Sequence, residues 1–269
     1  MKNLRSIMNG LVLKLKRAIH RHGFRGLLWI ATERIVRLAD SLRPSVRAEI
    51  RMRERRAAEF DQRFGVETGG LIHPTELSIN SPNQIHSVSY GGSDPEFFRK
   101  AVEALPIDYH DFTFIDFGSG KGRAVLLAKE FAFQKIVGVE FCNELHAIAQ
   151  DNLMRFRSEL SKCENTELIC ADAMAYPLPD GCLVCYFCNP FDAVLMTHML
   201  LNIRESFLQN PRDIFVVYYN PKEAHVIDVA DCFTSVATVG PVRIWRTMPE
   251  SQACPSATID NSYGYTTTA

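Results

Sequence analysis

The sequence predicts an α/β fold with a doubly wound, mostly parallel sheet of seven strands and an N-terminal helical extension. Three observations lead to this prediction. Short apolar runs of strand length recur through residues 111–250, stretches with helical spacing separate most of them, and several runs end in a polar residue followed by a turn or a helix. With 269 residues, 46% of them hydrophobic, the chain can form one such domain plus an appendage.

The segment before the predicted sheet is basic. Residues 1–63 hold 16 Lys and Arg against 6 Asp and Glu, whereas the remaining residues hold 14 against 25. Apolar side chains recur at helical spacing in its first part, and a charged helix is expected from about Ser45 to Arg63. We therefore assign residues 1–68 to a basic amphipathic helical extension. It could pack on the domain, or contact an anionic membrane surface or nucleic acid.

A connecting segment, residues 69–110, links this extension to the sheet. It is rich in turn residues and contains two glycine pairs, Gly69-Gly70 and Gly91-Gly92. Near its end, Asp94 can cap a helix that begins at Pro95. Aspartate accepts from the free N–H groups of a first helical turn, and proline fits the first helical position.

The most informative stretch of the chain is residues 112–123. An apolar strand contains Asp116 near its end, and three glycines follow at alternate positions before a helix: Gly118, Gly120 and Gly122. Glycines let the backbone turn sharply and approach a ligand closely, because no Cβ blocks the way. The helix that follows directs its free N–H groups at the turn. This pattern predicts a cofactor-binding loop.

The spacing of the glycines distinguishes between nucleotide-binding motifs. A Walker loop needs Ser or Thr after its lysine, but Gly122 follows Lys121. A dinucleotide fingerprint needs its third glycine at position 123, which is Arg123. The carboxylate of Asp116 would lie where a pyrophosphate binds, so it would repel that group and attract a cation. A cofactor with an ammonium group and no phosphate fits better, and S-adenosylmethionine is one.

Three further strand ends carry polar groups suited to parts of the same ligand. Glu140 ends a strand about 20 residues after the glycines and can accept from both hydroxyls of a ribose. Asp172 follows the third strand and can accept from an adenine amine, or it can cap a turn. Asn189-Pro190-Phe191 follows the fourth. Because ligands of open parallel sheets bind at the carboxyl ends of the strands, we expect these groups to share one site.

Residues 111–246 resemble the class I S-adenosylmethionine-dependent methyltransferases, which implies a Rossmann-like methyltransferase sheet. The matching segments are Asp116-Phe117-Gly118-Ser119-Gly120-Lys121-Gly122, Gly138-Val139-Glu140-Phe141, Ala171-Asp172-Ala173 and Asn189-Pro190-Phe191. The resemblance implies that the glycine loop, Ser119 included, carries the methionine part of the cofactor. It also implies that Glu140 holds the ribose and Asp172 the adenine amine. Phe141 and Ala173 are cofactor-binding candidates within the same segments. An upstream segment often covers the cofactor in this family, so Tyr90 is a further candidate.

The segment Asn189-Pro190-Phe191 is the candidate catalytic segment. The Asn189 side chain and the carbonyl after it could accept protons from an amino nucleophile, while Phe191 could stack on an acceptor or wall a channel for an aliphatic amine. Nitrogen methyltransferases of the family usually carry Asn/Asp-Pro-Pro-Tyr/Phe here, and the missing second proline speaks against a planar nucleobase. Histone-lysine methyltransferases of this fold share the Gly-Ser-Gly loop and the Gly-x-Glu sequence.

These observations predict an S-adenosylmethionine-dependent N-methyltransferase that acts on a protein, of lysine type, or on RNA. One alternative is a nicotinamide oxidoreductase, which would share the sheet and the acid on the ribose but bind NAD. Another is a non-catalytic, membrane-docked module in which the basic extension is the working part.

The remaining segments continue the same domain, residues 111–250. We expect a helix from about Phe191 to Gln209, a fifth strand over 213–219, a hairpin-like pair near 233–239 and 242–246, and a flexible tail over 251–269.

The eight cysteines indicate reduced, buried thiols in a cytoplasmic protein, because several lie inside apolar strand runs. Cys182, Cys185 and Cys188 are spaced three apart, but residues three apart on a strand point to opposite faces of the sheet. We therefore expect no metal. The basic extension makes a peripheral position at a membrane the alternative to a purely cytoplasmic one.

Overall fold

The computed structural model describes residues 43–70 and 91–248. The predicted helices before residue 43, the candidate Tyr90 and the tail predicted from residue 251 lie outside the described residues. The chain forms two compact units, whose boundary falls between Glu54 and Arg55. Residues 55–68, which the sequence analysis assigns to the N-terminal extension, therefore belong to the same unit as the sheet.

A seven-stranded sheet forms the centre of the second unit, with the strand order β3-β2-β1-β4-β5-β7-β6. Its strands are β1 (Phe112–Phe117), β2 (Lys135–Glu140), β3 (Thr166–Cys170), β4 (Cys182–Phe187), β5 (Ile214–Tyr219), β6 (Phe233–Val239) and β7 (Val242–Thr247). The neighbouring pairs among β1 to β5 are parallel, while β7 runs antiparallel to both β5 and β6. This confirms the predicted α/β class and the mostly parallel sheet.

Helices connect and flank the strands. They are α1 (Pro44–Phe64), α2 (Pro95–Glu103), α3 (Arg123–Ala128), α4 (Asn143–Arg155), α5 (Ala193–Gln209) and α6 (Ala224–Asp228). Asp94 caps α2 as expected, since its carboxylate accepts from the N–H groups of Glu96 and Phe97 at 2.9 and 3.3 Å. No described helix has the length and apolar character needed to cross a membrane.

The hydrophobic core lies on both faces of the sheet, and every residue of β1 and of β5 is buried. Side chains of β4 alternate between the two faces. Cys185 packs in one cluster, whereas Cys182 and Cys188 pack against the other, as predicted for residues three apart on a strand. The cysteines in the described residues are free thiols, and no group of His, Cys, Asp and Glu among these residues could hold a metal ion.

The strand order reverses between β1 and β4, and we refer to the region outside the carboxyl ends of these two strands as the crevice. The chain builds the sheet outward from β1 in one direction, through β2 to β3, and then resumes on the other side with β4 and β5. Ligands of open α/β sheets bind where the strand order reverses in this way. The loops that follow β1 and β4 are the glycine loop and the segment that begins at Cys188, so the fold brings the two most informative parts of the sequence together.

Candidate active site

The glycine loop after β1 has a backbone conformation that favours glycine at three positions. The φ angles of Gly118, Gly120 and Gly122 are 77°, 52° and 84°, all in the left-handed region. Gly118 also has no room for a side chain, because an added Cβ would lie 2.6 Å from Cβ of Pro190. The glycine loop and the segment after β4 are therefore in direct contact.

Hydrogen bonds from the loop to β2 fix its position. The N–H groups of Gly118 and Ser119 both donate to the carbonyl of Val139, at 2.9 and 3.0 Å. The N–H of Gly120 donates to Oε2 of Glu140 at 2.8 Å. The end of β2 thus holds the loop through its backbone and through one buried side chain.

Glu140 has a second role in the geometry of the site. Its other oxygen, Oε1, accepts from the N–H of Cys142 at 2.9 Å, so both carboxylate oxygens accept bonds from the protein. Each oxygen can accept a second bond. Burial raises the pKa of Glu140, while backbone N–H groups, those of Cys142 and Gly120 first, act in the opposite direction. Glu140 can therefore brace the loop and accept from ribose hydroxyls at the same time.

Asp116 is the second buried acid of the site. Its carboxyl is 3% exposed, and burial, with a smaller contribution from the charge of Glu140, raises its pKa to about 8. Two buried acids lie close enough to interact, so a cation at this corner of the crevice would be favourable. An ammonium group close to Asp116 would stabilise the ionised carboxylate and so lower this pKa. The same interaction attracts the ammonium group, as the sequence predicts.

The predicted adenine end of the site lies after β3. Asp172 caps a short 3-10 turn over Ala173–Ala175, because its Oδ1 accepts from the N–H of Met174 at 2.9 Å. The turn-capping role considered for Asp172 is thus present on one oxygen, and its contact with an adenine amine stays a prediction. Ala173 is buried and Phe141 is half-buried.

The segment after β4 places its three candidate residues differently. Asn189 adopts a left-handed φ of 50°, and its Oδ1 accepts from Oη of Tyr218 at 3.4 Å. Pro190 packs on Gly118. The ring of Phe191 is directed into the core, because the residue is only 8% exposed and packs edge-to-face on Phe187. That ring offers little free surface for the stacking on an acceptor that the sequence suggested.

Several residues that shape this site have no distinctive pattern in the sequence. Lys121 lies in the glycine loop and Arg123 begins α3, yet both are buried and bond to residues 66–70 and 93. Tyr218 reaches Asn189 from β5. A repeated dipeptide is the one signal that the sequence does give, since Asn220-Pro221 follows β5 as Asn189-Pro190 follows β4. Asn220 has the same left-handed backbone, with a φ of 51°.

Comparison with known proteins gives one family match and a set of solved structures. A family model described as "Histone methylation protein DOT1" matches residues 70–165, which include the glycine loop and Glu140. No sequence among the curated proteins matches the chain. The strand order and this family match confirm the predicted resemblance to the class I S-adenosylmethionine-dependent methyltransferases.

Three solved structures illustrate the matches to this chain. An RNA methyltransferase from Salinibacter ruber, in complex with S-adenosyl-L-homocysteine, has 17% identity and a TM-score of 0.40 over 60% of this chain and 95% of that one. TrmN from Thermus thermophilus has 13% identity and a TM-score of 0.43 over 59% and 50% of the two chains. The human methyltransferase 10 domain containing protein has 14% identity and a TM-score of 0.43 over 74% and 96%.

The raised pKa of Asp116 predicts a specific dependence of stability on pH. The folded-state pKa of Asp116, about 8, exceeds the ordinary value of 3.8. Its contribution to the stability of the folded state is therefore complete below about pH 4 and is lost as the pH rises through 8. The amide of Asp116→Asn does not titrate, so the variant does not lose this stability as the pH rises. We expect the free energy of unfolding of the variant, relative to wild type, to increase by about 2–5 kcal/mol between pH 4 and pH 8.5.

Urea unfolding of both proteins across this range measures the difference directly. Asp180→Asn is the control, because Asp180 is exposed and lies outside the crevice. A constant difference between wild type and Asp116→Asn across the range would show that the carboxyl titrates normally.

Proposed function

We propose that this protein is an S-adenosylmethionine-dependent methyltransferase that methylates an amino nitrogen of a protein, of lysine type. The observation that carries the proposal is the contact between Gly118 and Pro190 at the point where the strand order reverses. It puts the loop suited to the cofactor and the polar segment suited to the acceptor in one crevice, so a methyl donor and an amine could meet there.

The residues of the crevice fit the chemical groups of S-adenosylmethionine. Asp116 would face the ammonium group, the glycine loop would approach the methionine part, and Glu140 would accept from the ribose hydroxyls. The buried hydroxyl of Ser119 has no hydrogen-bond partner among the described residues and could bond to the cofactor. When bound, the sulfonium supplies a methyl group that is already reactive, so the protein mainly has to align the acceptor and exclude water.

Asn189 is suited to align an amine. Its amide oxygen and the carbonyl that follows can accept N–H bonds from an amino group, which points the nitrogen lone pair at the methyl carbon. The left-handed backbone of Asn189 and the bond from Tyr218 hold the amide in place. Burial raises the pKa of Tyr218 to about 12, so its hydroxyl keeps the proton that it donates to Asn189 at neutral pH.

The charge around the crevice favours a protein acceptor over RNA. Near the carboxyl ends of β2 to β5, the charged side chains that are not buried include four acids, Glu144, Asp172, Asp192 and Glu223, and one base, Lys222. The side chains of Lys121 and Arg123 are buried against residues 66–70 and 93, so they are not available to phosphates. Affinity for nucleic acid depends on basic groups along the phosphate backbone, whereas an acidic rim attracts a cationic side chain. The family described as histone methylation proteins agrees with this choice.

A nicotinamide oxidoreductase fits less well. The dinucleotide fold has the strand order 3-2-1-4-5-6, whereas here an antiparallel β7 lies between β5 and β6. The pyrophosphate of NAD would also lie beside the buried Asp116 and disfavour its ionised form further, whereas an ammonium group would favour that form.

Cofactor affinity should depend on the carboxylate of Glu140. Glu140→Gln keeps the shape of the side chain but loses one acceptor and the charge, so we expect S-adenosylhomocysteine to bind about 10- to 100-fold more weakly, equivalent to about 1.5–3 kcal/mol. Isothermal calorimetry provides the measurement. Glu205→Gln on the exposed side of α5 is the matched control and should bind as wild type does. Equal affinities for wild type and Glu140→Gln would rule out the ribose contact.

The acceptor class can be identified by labelling a cell extract with radioactive methyl-S-adenosylmethionine. We expect the label to be removed by protease, to resist nuclease, and to appear as methyllysine after acid hydrolysis. Asn189→Ala should lower the rate of labelling by about 10²-fold or more with little change in cofactor affinity, because Asn189 acts on the acceptor.

Asn220→Ala is the matched control for this variant, since Asn220 has the same residue type, the same left-handed backbone and the same following proline on the neighbouring strand. Equal losses in the two variants would indicate backbone strain rather than acceptor alignment. Label that is released by nuclease would exclude a protein acceptor.

A further inference from the structure

Two cationic side chains, one in the glycine loop and one at the start of α3, are buried. Lys121 is 4% exposed and Arg123 is 3% exposed, although such side chains are rarely buried unless they are paired. Among the described residues, the acceptors of their hydrogen bonds include Glu67, Thr68, Gly69 and Ser93, which lie in two segments that precede the sheet in sequence, residues 66–70 and residue 93. These contacts connect the loop to segments that contribute none of the candidate cofactor-binding or catalytic residues.

Lys121 bonds to the first of these segments at two points. Its Nζ donates to Oε1 of Glu67 at 2.8 Å and to the carbonyl of Gly69 at 3.0 Å. The hydrogen bond from Lys121 also holds the pKa of Glu67 below its ordinary value. The ammonium group is thus paired with a charge and with a backbone acceptor, which compensates for its burial.

Asn152 of α4 reinforces the same junction through its side chain. Its Oδ1 accepts from the N–H of Glu67 at 2.7 Å, and its Nδ2 donates to the carbonyls of Glu67 and of Lys121, both at 2.9 Å. Asn152 is 1% exposed. One buried amide therefore bonds to the backbone of the glycine loop and to the backbone of the preceding segment.

Arg123 extends the junction to the second segment. Its Nε donates to Oγ1 of Thr68 at 2.7 Å, and its Nη1 donates to the carbonyl of Ser93 at 3.3 Å. Gly92 leaves room for the guanidinium, because an added Cβ there would lie 2.6 Å from Nη1. Nη2 lies 3.9 Å from Oδ1 of Asp61. A single planar group thus contacts both segments.

Asp61 organises the partners of Arg123. Its carboxylate accepts from the hydroxyl of Thr68 and from the N–H groups of Thr68 and Gly69, the latter two at 2.9 and 2.7 Å. Asp61 lies on the last turns of α1, so this helix takes part in the same network. We refer to Asp61, Glu67, Thr68, Lys121, Arg123 and Asn152 together as the clasp.

A loop with three glycines needs such bracing. Glycine loses more backbone freedom on ordering than any other residue, so Gly118, Gly120 and Gly122 make a loop whose ordered form is costly in entropy. A ligand that binds only the ordered form loses affinity in proportion to the fraction of molecules in which the loop is disordered. Bonds that hold the loop in place before the ligand arrives therefore raise its affinity.

We infer that Lys121 and Arg123 are positioning residues, which fasten the glycine loop to residues 66–70 and 93 and so preorganise it for the cofactor. This inference rests on the proposed function, because it assumes that the loop holds S-adenosylmethionine. In this role the two side chains do not contact the cofactor, since both are buried in the protein.

The test compares two buried lysines at the two ends of α3. Lys129 is 6% exposed, and its Nζ donates to the carbonyl of Cys163 at 2.8 Å and to Oε2 of Glu164 at 3.4 Å. Lys121 and Lys129 therefore share their burial and their types of partner, an exposed glutamate and a backbone carbonyl, but only Lys121 belongs to the glycine loop. Lys121→Met and Lys129→Met should both lose stability in thermal unfolding.

Only Lys121→Met should affect the loop and its ligand. In hydrogen–deuterium exchange of the full chain without cofactor, we expect faster exchange at residues 118–122 in Lys121→Met and no change there in Lys129→Met. The Kd for S-adenosylhomocysteine, measured by calorimetry, should rise about tenfold in Lys121→Met and stay within about twofold of wild type in Lys129→Met. Lys121→Arg, which retains the charge and its donors, should restore most of the affinity.

Milder variants serve if Lys121→Met fails to fold. Glu67 and Glu164 are exposed partners of the two lysines, with side-chain exposures of 71% and 86%. Glu67→Gln should raise the Kd by about threefold and Glu164→Gln should not. Wild-type exchange at residues 118–122 in both Lys121→Met and Glu67→Gln would falsify the inference, as would an equal loss of affinity in the Lys129 and Lys121 variants.

The exchange experiment also separates this inference from the proposed function. It requires no ligand, so it reports whether the clasp orders the glycine loop even if the wild-type protein does not bind S-adenosylhomocysteine. Failure of wild type to bind, with the expected exchange pattern, would refute the cofactor assignment and leave the clasp in place.

Discussion

The buried carboxylate of Glu140 is the interaction on which the site depends. It accepts one N–H from the glycine loop after β1 and one from the turn after β2, so a single side chain fixes the two loops that meet at the crevice. Its burial keeps these bonds away from competing water. Its negative charge adds to the desolvation that raises the pKa of Asp116. One residue at the end of β2 therefore sets the position of both loops, offers acceptors to a ligand and influences the pKa of Asp116.

The sheet places this interaction, and the sequence predicts the sheet well. β2 ends at Glu140 as expected, because buried parallel strands appear as continuous apolar runs. Asp94 caps α2 as expected, because caps depend on local chemistry. The meeting of the glycine loop with Asn189-Pro190 also follows from general rules, since both come after neighbouring strands at the reversal of the strand order. Periodicity and the geometry of parallel sheets suffice for these features.

Other features could not be predicted from the sequence, for identifiable physical reasons. Lys and Arg in a loop are expected in solvent, and only the packing of residues 66–70 and 93 shows why Lys121 and Arg123 are buried. The aromatic Phe191 follows a polar segment, so it suggested a surface for the acceptor, whereas it packs on Phe187. The sequence identifies Asp116 as an acid, but its degree of protonation depends on burial and on the nearby Glu140, and both depend on the fold.

The electrostatics of the crevice also bear on the choice of asparagine at position 189. Acids around the crevice attract a cationic acceptor, but a lysine must lose its proton before its nitrogen can attack a methyl group. A carboxylate at position 189 would stabilise the ammonium form and raise the pKa of the bound lysine. The neutral amide of Asn189 accepts N–H bonds without adding charge, and Tyr218, which keeps its own proton at neutral pH, donates to it. The rim can thus draw the acceptor in by its charge, while an uncharged acceptor of hydrogen bonds stands at the point where the amine would have to be neutral.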